Sequence, residues 1–197
     1  MENNNLLNDL KNYNKDINSL LADKKGTKEV CNRLNLKNST LFAYGSTPYS
    51  TFENLYNNIS KKPKRFIVVG SSVGWINFYW NDLFPNIETI GIDIHHVRTQ
   101  FAQNLIDKYH LKNISFLNKD FKNFKFQNGD LIWQSNLCFD KQELEKTNDI
   151  ILQKTPNISL ISYKQISSNK EIKKDTKIIK LPTSWSTDQR FFIYESK

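Results

Sequence analysis

A chain of 197 residues with 38% hydrophobic and 13% aromatic content can bury one sizeable core, and its two cysteines, Cys31 and Cys138, offer neither a disulfide framework nor a zinc site. No apolar run is long enough to span a membrane and "MENNNLLNDLKNYNKD" is not a signal peptide, so an intracellular protein, cytoplasmic or nuclear, with no membrane partner is expected. Twenty-eight Lys and Arg against 20 Asp and Glu give a net charge of +8, which leaves open an acidic or nucleic-acid-bearing partner at "KKPKR" (Lys61–Arg65) beside a plain solvated Lys-rich surface.

Residues 1–40 read as an N-terminal helical segment. Leu6, Leu10, Tyr13, Ile17 and Leu20 recur at helical steps, and Gly26 is expected to break the segment into two helices. In "TPYSTFENLYNNI" Thr47 can cap a helix starting at Pro48, with Phe52, Leu55, Tyr56 and Ile59 as its apolar stripe. Arg65–Val69 is a buried strand, followed by a Gly/Ser turn and a helix from about Val73 to Leu83. Glu88–Asp93 is a second strand, and Val97, Phe101, Leu105 and Tyr109 mark the helix after it. Strands three, four and five are expected at Asn113–Asp120, Gly129–Asn136 and Ile158–Ile166, with Asp140 and Glu143 capping an intervening helix. Two last strands about a turn at Ser186–Gln189 have no helix between them. The alternation predicts an α/β, Rossmann-like, doubly wound and mostly parallel sheet closed by a C-terminal antiparallel hairpin.

The turn Gly70-Ser71-Ser72-Val73-Gly74 follows the first strand, where α/β sheets hold nucleotide-like ligands. Gly70 permits the tight bend, and Gly74 is expected to let ligand and backbone approach. Asp93, 19 residues beyond Gly74, sits where a carboxylate accepts ribose hydroxyls; the rival reading is a cap on the next helix. Asp120 and Phe121 are placed to meet an adenine amine and its ring face, or form an ordinary turn. "WQSN" brings Ser135 and Asn136 to the same crevice, with Trp133 as wall or plain core. No nucleophile set or metal-ligand spacing is visible. An adenosine crevice, a terminal hairpin and no nucleophile suit methyl transfer from S-adenosyl-L-methionine, where the protein supplies alignment and desolvation. A lysine acceptor would also have to lose its proton, which an apolar channel favours.

The motif order resembles class I S-adenosylmethionine-dependent methyltransferases, and within them the non-SET histone-lysine methyltransferases of the disruptor of telomeric silencing family. The resemblance lies in "AYGSTPYSTFENLYNNI", "VVGSSVGWINF", "IGID", "GDLIWQSNLCFD", "ISLISYKQI" and "LPTSWSTDQRFFIYE", from about Leu41 onward. It implies that residues 41–197 form an S-adenosylmethionine-binding methyltransferase domain, with Tyr44, Gly45 and Thr47 as a lid. Gly70, Ser72 and Gly74 would form the cofactor turn, with Asp93 on the ribose and Asp120 and Phe121 around adenine. Ser135 and Asn136 would orient the reacting end, and Tyr163 and Trp185 would wall the channel. The implied partner is a protein substrate, a lysine of histone-like character. The sequence departs from the family at Ser46 (for Glu), Ser72 (for Gly) and Ser135 (for Asn), and Val68 replaces the acidic residue common in methyltransferases. Ser46, Val68 and Ser72 motivate a catalytically degenerate scaffold as alternative; nucleic-acid or small-molecule methylation is another. The GxGxxG pattern of nicotinamide enzymes fails at Ser72 and Trp75.

Overall fold

The computed structural model describes residues 4–34, 47–137, 139, 141–154, 157–165 and 174–196. Tyr44, Gly45, Ser46, Cys138, Asp140 and Ile166 lie outside the described residues, as does the Glu143 side chain. Three helices, α1 (Asn4–Tyr13), α2 (Ile17–Leu34) and α3 (Tyr49–Asn57), precede β1 (Arg65–Val69). Then α4 (Trp75–Leu83), β2 (Glu88–Asp93), α5 (His96–Tyr109), β3 (Ile114–Asn118), β4 (Asp130–Gln134), α6 (Lys141–Lys154) and β5 (Ser159–Ser162) alternate. The described chain closes with β6 (Lys174–Thr183) and β7 (Ser186–Ser196).

The seven strands pair in the order β3-β2-β1-β4-β5-β7-β6. The first five are parallel, and β7 runs antiparallel to both β5 and β6. Because β1 pairs with both β2 and β4, the strand order reverses at β1, and the carboxyl ends of β1 to β5 share one edge. That edge is where a doubly wound sheet opens its crevice.

Strand alternation divides the core. Phe66, Val68, Leu131, Trp133 and Ile161 pack on one face with Phe52 and Leu55 of α3 and Trp80 of α4. Ile67, Val69, Ile90, Ile92, Ile132 and Leu160 pack on the other with Ile151 of α6. Val68, read in sequence as standing in for an acidic residue, is fully buried in the first cluster. A third cluster joins Leu6, Leu10 and Tyr13 of α1 to Val73, Phe78, Ala102, Leu105 and Phe116. Burying a Leu or Phe side chain contributes about 1.5–3 kcal/mol, so α1 is fastened to the sheet by its apolar stripe.

Four local expectations are corrected. Gly26 lies inside α2, and the break between the first two helices falls at residues 14–16. A Cβ on Gly26 would stand 2.8 Å from both His95 Cε1 and Val97 Cγ2, so the glycine lets α2 press against α5. Pro48, not Thr47, is the N-cap of α3, and no side chain caps that helix. The last turn is the two residues 184–185, one step earlier than Ser186, because Thr183 pairs with Ser186. On α5 the buried set is Arg98, Thr99, Ala102, Leu105 and Ile106, while Val97, Phe101 and Tyr109 lie only partly buried.

Candidate cofactor and acceptor site

Three residues of the β1–α4 turn have positive φ: Gly70 at 77°, Ser72 at 51° and Gly74 at 90°. The two glycines do different jobs. A Cβ on Gly70 would meet only Ser135 Cβ at 3.4 Å and Ser135 O at 3.5 Å, at the crevice. At Gly74 a Cβ would run into the Phe116 ring and lie 2.8 Å from Phe78 Cε2. Close helix–strand packing, rather than ligand approach, therefore demands a glycine at 74, which also serves as N-cap of α4.

Asp93 ends β2 beside this turn. Its Oδ2 accepts the Ser72 N–H at 2.7 Å and its Oδ1 accepts the His95 N–H at 2.8 Å. His95, not Asp93, is the N-cap of α5, and the carboxylate organises the entry to that helix through the His95 N–H. An ionised carboxylate has about four acceptor positions, so two remain for ribose hydroxyls, and Asp93 is only partly buried. Nearby, Lys119 N donates to Asp93 O at 3.1 Å, which draws the end of β3 to the end of β2. Asp120 then caps a single 3-10 turn, accepting Lys122 N–H at 2.9 Å, and Phe121 is partly buried against the second core face. Both lie on the crevice edge, next along from Asp93.

The β4 and β5 ends form the other half. Ser135 N donates to Val69 O at 3.0 Å, setting Ser135 next to Gly70. Asn136 is fully buried; its Nδ2 donates to Ser162 Oγ at 2.8 Å and its Oδ1 accepts the Tyr163 N–H at 3.2 Å. It therefore ties the end of β4 to the residues that follow β5. Tyr163, the residue it fixes, meets Thr47 through paired hydroxyls at 3.2 Å. Thr47 thus packs with Tyr163 and does not cap α3. Burial pushes the Tyr163 phenol well above its ordinary range, against the Thr47 hydrogen bond, so it stays protonated. Trp185 comes from the hairpin turn, 39% exposed, and sets its ring edge-on to Tyr163 at 5.5 Å. Its indole N–H donates to Gln189 Oε1 at 3.0 Å. Residues 47, 136, 163 and 185, far apart in sequence, are thereby gathered.

Sequence reasoning missed Asp23, Arg98 and His95. Arg98 donates from Nε and Nη2 to the two carboxylate oxygens of Asp23 at 2.6 and 2.9 Å. Burial raises the Asp23 carboxyl, but Arg98 and the Tyr13 hydroxyl outweigh it and hold the group below the usual range. His95 is fully buried, and burial with the Arg98 charge pushes it below the usual histidine value. Neutral His95 accepts the Arg98 N–H at Nδ1, 3.5 Å, which leaves Nε2 to donate to Thr27 Oγ1 at 3.0 Å. A helical residue pairing across 75 positions leaves no local signal.

The basic cluster stands elsewhere. Arg65 opens β1 and Asp130 opens β4, at the amino ends of the strands, and they pair at 2.8 and 2.7 Å. Lys62 lies over the Tyr56 ring at 3.6 Å. Arg65 is thus withdrawn from any patch offered to an acidic or nucleic-acid-bearing partner. Among the described residues no group of three or more His, Cys, Asp or Glu is arranged so that it could hold a metal ion, and no helix is long and apolar enough to cross a membrane.

No protein-family model and no curated protein sequence matches this chain. Solved structures share the architecture. A variant of MtNAS in complex with S-adenosylmethionine superposes with TM-score 0.56 at 9% identity, covering 89% of this chain and 72% of that one. TrmN from Thermus thermophilus gives 0.57 at 14%, over 76% and 48% of the two chains. The pyocyanin biosynthetic protein PhzM gives 0.55 at 12%, over 74% and 54%. The finer resemblance to histone-lysine methyltransferases finds no support among them. Strand order, switch point and these neighbours agree on one conclusion: the chain has the Rossmann-like class I methyltransferase fold.

Proposed function

We propose that the chain is an S-adenosylmethionine-dependent methyltransferase. One observation carries the reading: a carboxylate, Asp93, at the end of β2 is bonded at 2.7 Å to the positive-φ turn that leaves β1. Together they make a ribose acceptor beside a backbone cradle at the switch point of the sheet. Bound there, S-adenosylmethionine would supply an electrophilic methyl group on a sulfonium.

The chain's own residues do the rest. Asp93 offers its two remaining acceptor positions to the ribose, Gly70 keeps the turn open, and Asp120 with Phe121 takes the adenine. Tyr44 and Gly45, by resemblance, cover the methionine end. Ser135 lies beside Gly70 near the reacting centre, and Asn136 holds Tyr163 in place. Tyr163, Trp185 and Thr47 form an aromatic and hydroxyl wall. Such a wall suits the aliphatic stem and the deprotonated amine of a protein lysine, the acceptor the resemblance implies. The neighbours' names point to other acceptor classes, so small molecules belong in the same screen.

The test is calorimetric titration with S-adenosylmethionine, S-adenosylhomocysteine and NAD, then mass spectrometry of the cofactor product in the presence of acceptors. Micromolar binding of both adenosyl-sulfur compounds but not NAD, with S-adenosylhomocysteine released, is expected. Absence of binding overturns the proposal; binding without turnover on any acceptor supports a degenerate scaffold, the reading that Val68 and Ser72 favour.

A further inference from the structure

Helix α2 reaches the β1–α4 turn through partly buried polar contacts that the proposed chemistry does not use. Asp23 accepts from both nitrogens of Arg98 and from the Tyr13 hydroxyl at 2.8 Å. Arg98, 6% exposed, directs Nη1 to Ser72 Oγ at 3.4 Å. Ser72 holds φ 51°, a conformation that side-chain-bearing residues adopt at a cost and glycine adopts freely. Its N–H is fixed by Asp93 and its hydroxyl by Arg98, and Arg98 is fixed in turn from α2. The seat of α2 is tight: Gly26 allows contact with His95 and Val97, and Thr27 bonds His95 at 3.0 Å.

Resting on the methyltransferase reading, we propose that Asp23 is a positioning residue which, through Arg98, holds Ser72 in the left-handed conformation that the cofactor turn requires. A serine at this position then depends on a helix elsewhere in the chain, and that dependence is specific to Ser72. A buried ion pair that merely anchors α2 would destabilise the protein when broken, whatever residue stood at 72.

A double-mutant cycle separates the two. S-adenosylhomocysteine affinity is measured for the full chain, Asp23→Asn, Ser72→Gly and the double variant. Asp23→Asn should weaken binding about tenfold alone and about twofold or less in the Ser72→Gly background, since a tenfold change is a resolvable difference in binding free energy. Equal losses in both backgrounds overturn the proposal. Amide hydrogen exchange over residues 70–74 gives a readout without ligand. Asp23→Asn should speed it markedly only where Ser72 is present, and unchanged exchange also overturns the proposal. If the full chain binds no S-adenosylhomocysteine yet the exchange result holds, the methyltransferase reading fails and the coupling stands. Should Asp23→Asn not fold, Ser72→Ala carries the test: it removes the Arg98 contact alone and should weaken binding about threefold. Affinity equal to that of the unmutated chain overturns the idea.

Discussion

The two ends of the parallel sheet each place a carboxylate at a strand terminus, and they use it in opposite ways. At the amino end Asp130 is 1% exposed, takes both arms of the Arg65 guanidinium and also accepts the Gln127 N–H at 2.7 Å. Its acceptor capacity is spent on joining two strands. At the carboxyl end Asp93, among the described residues, meets two backbone N–H groups, one from each flanking loop, and stays partly open. A carboxylate that faces a guanidinium fastens; one that faces amides beside a positive-φ turn can still receive a ligand.

The contrast can be broken in order of size. Asp130→Ala removes both charge-assisted hydrogen bonds of the partly buried Arg65, so urea denaturation should show a loss of about 2 kcal/mol, with S-adenosylhomocysteine affinity unchanged in the folded fraction. A matching loss of affinity would mean that the two ends are coupled. Asp93→Ala should weaken cofactor binding at least tenfold, about 1.4 kcal/mol; calorimetry on a folded variant that binds normally would remove Asp93 from the ribose. Tyr163→Phe deletes the Thr47 hydroxyl pair while keeping the ring, with an expected cost of about 1 kcal/mol in stability. Acceptor turnover should fall while cofactor affinity holds. Thermal melts sharpen the picture at His95. As pH falls through its ordinary value of 6.5, the unfolded chain takes up a proton that the folded residue, buried and beside the Arg98 charge, refuses despite the pull of Asp23 and Asp93. Stability should therefore drop on that acid side, and less so in His95→Gln. Least of all should happen on neutralising Lys61, Lys62 and Lys64: stability should stay within about 0.5 kcal/mol and cofactor affinity should not move.

The strands were legible because each is a short β-branched or aromatic run between turn residues. Arg65–Val69 and Glu88–Asp93 match their expected limits, and the terminal hairpin follows from two strands with no helix between them. What escaped depends on partners distant in sequence. Gly26 looked like a breaker since a glycine weakens an isolated helix, yet here it is an approach point for α5. Arg98 carried no signal in the sequence, yet it is buried and pairs with Asp23 of α2. Thr47 has the chemistry of a cap and was taken up instead by Tyr163, 116 residues away. Among the site residues Asp93 was readable by position, and its bonds to Ser72 and His95 were not. Gly74 was readable as a required glycine, for a reason that only Phe116 reveals.

Strand β6 ends the sheet, and Ile178, 56% exposed, rides on that unpaired edge. Lys177 and Lys180 stand exposed on either side of it. An edge of free backbone groups carrying an apolar side chain is a template on which other chains can add strands, and lysines are a common deterrent. Two positive charges beside Ile178 would oppose edge-to-edge pairing. Replacing them with valine would shorten the shelf life of concentrated protein well before it changed the melting temperature.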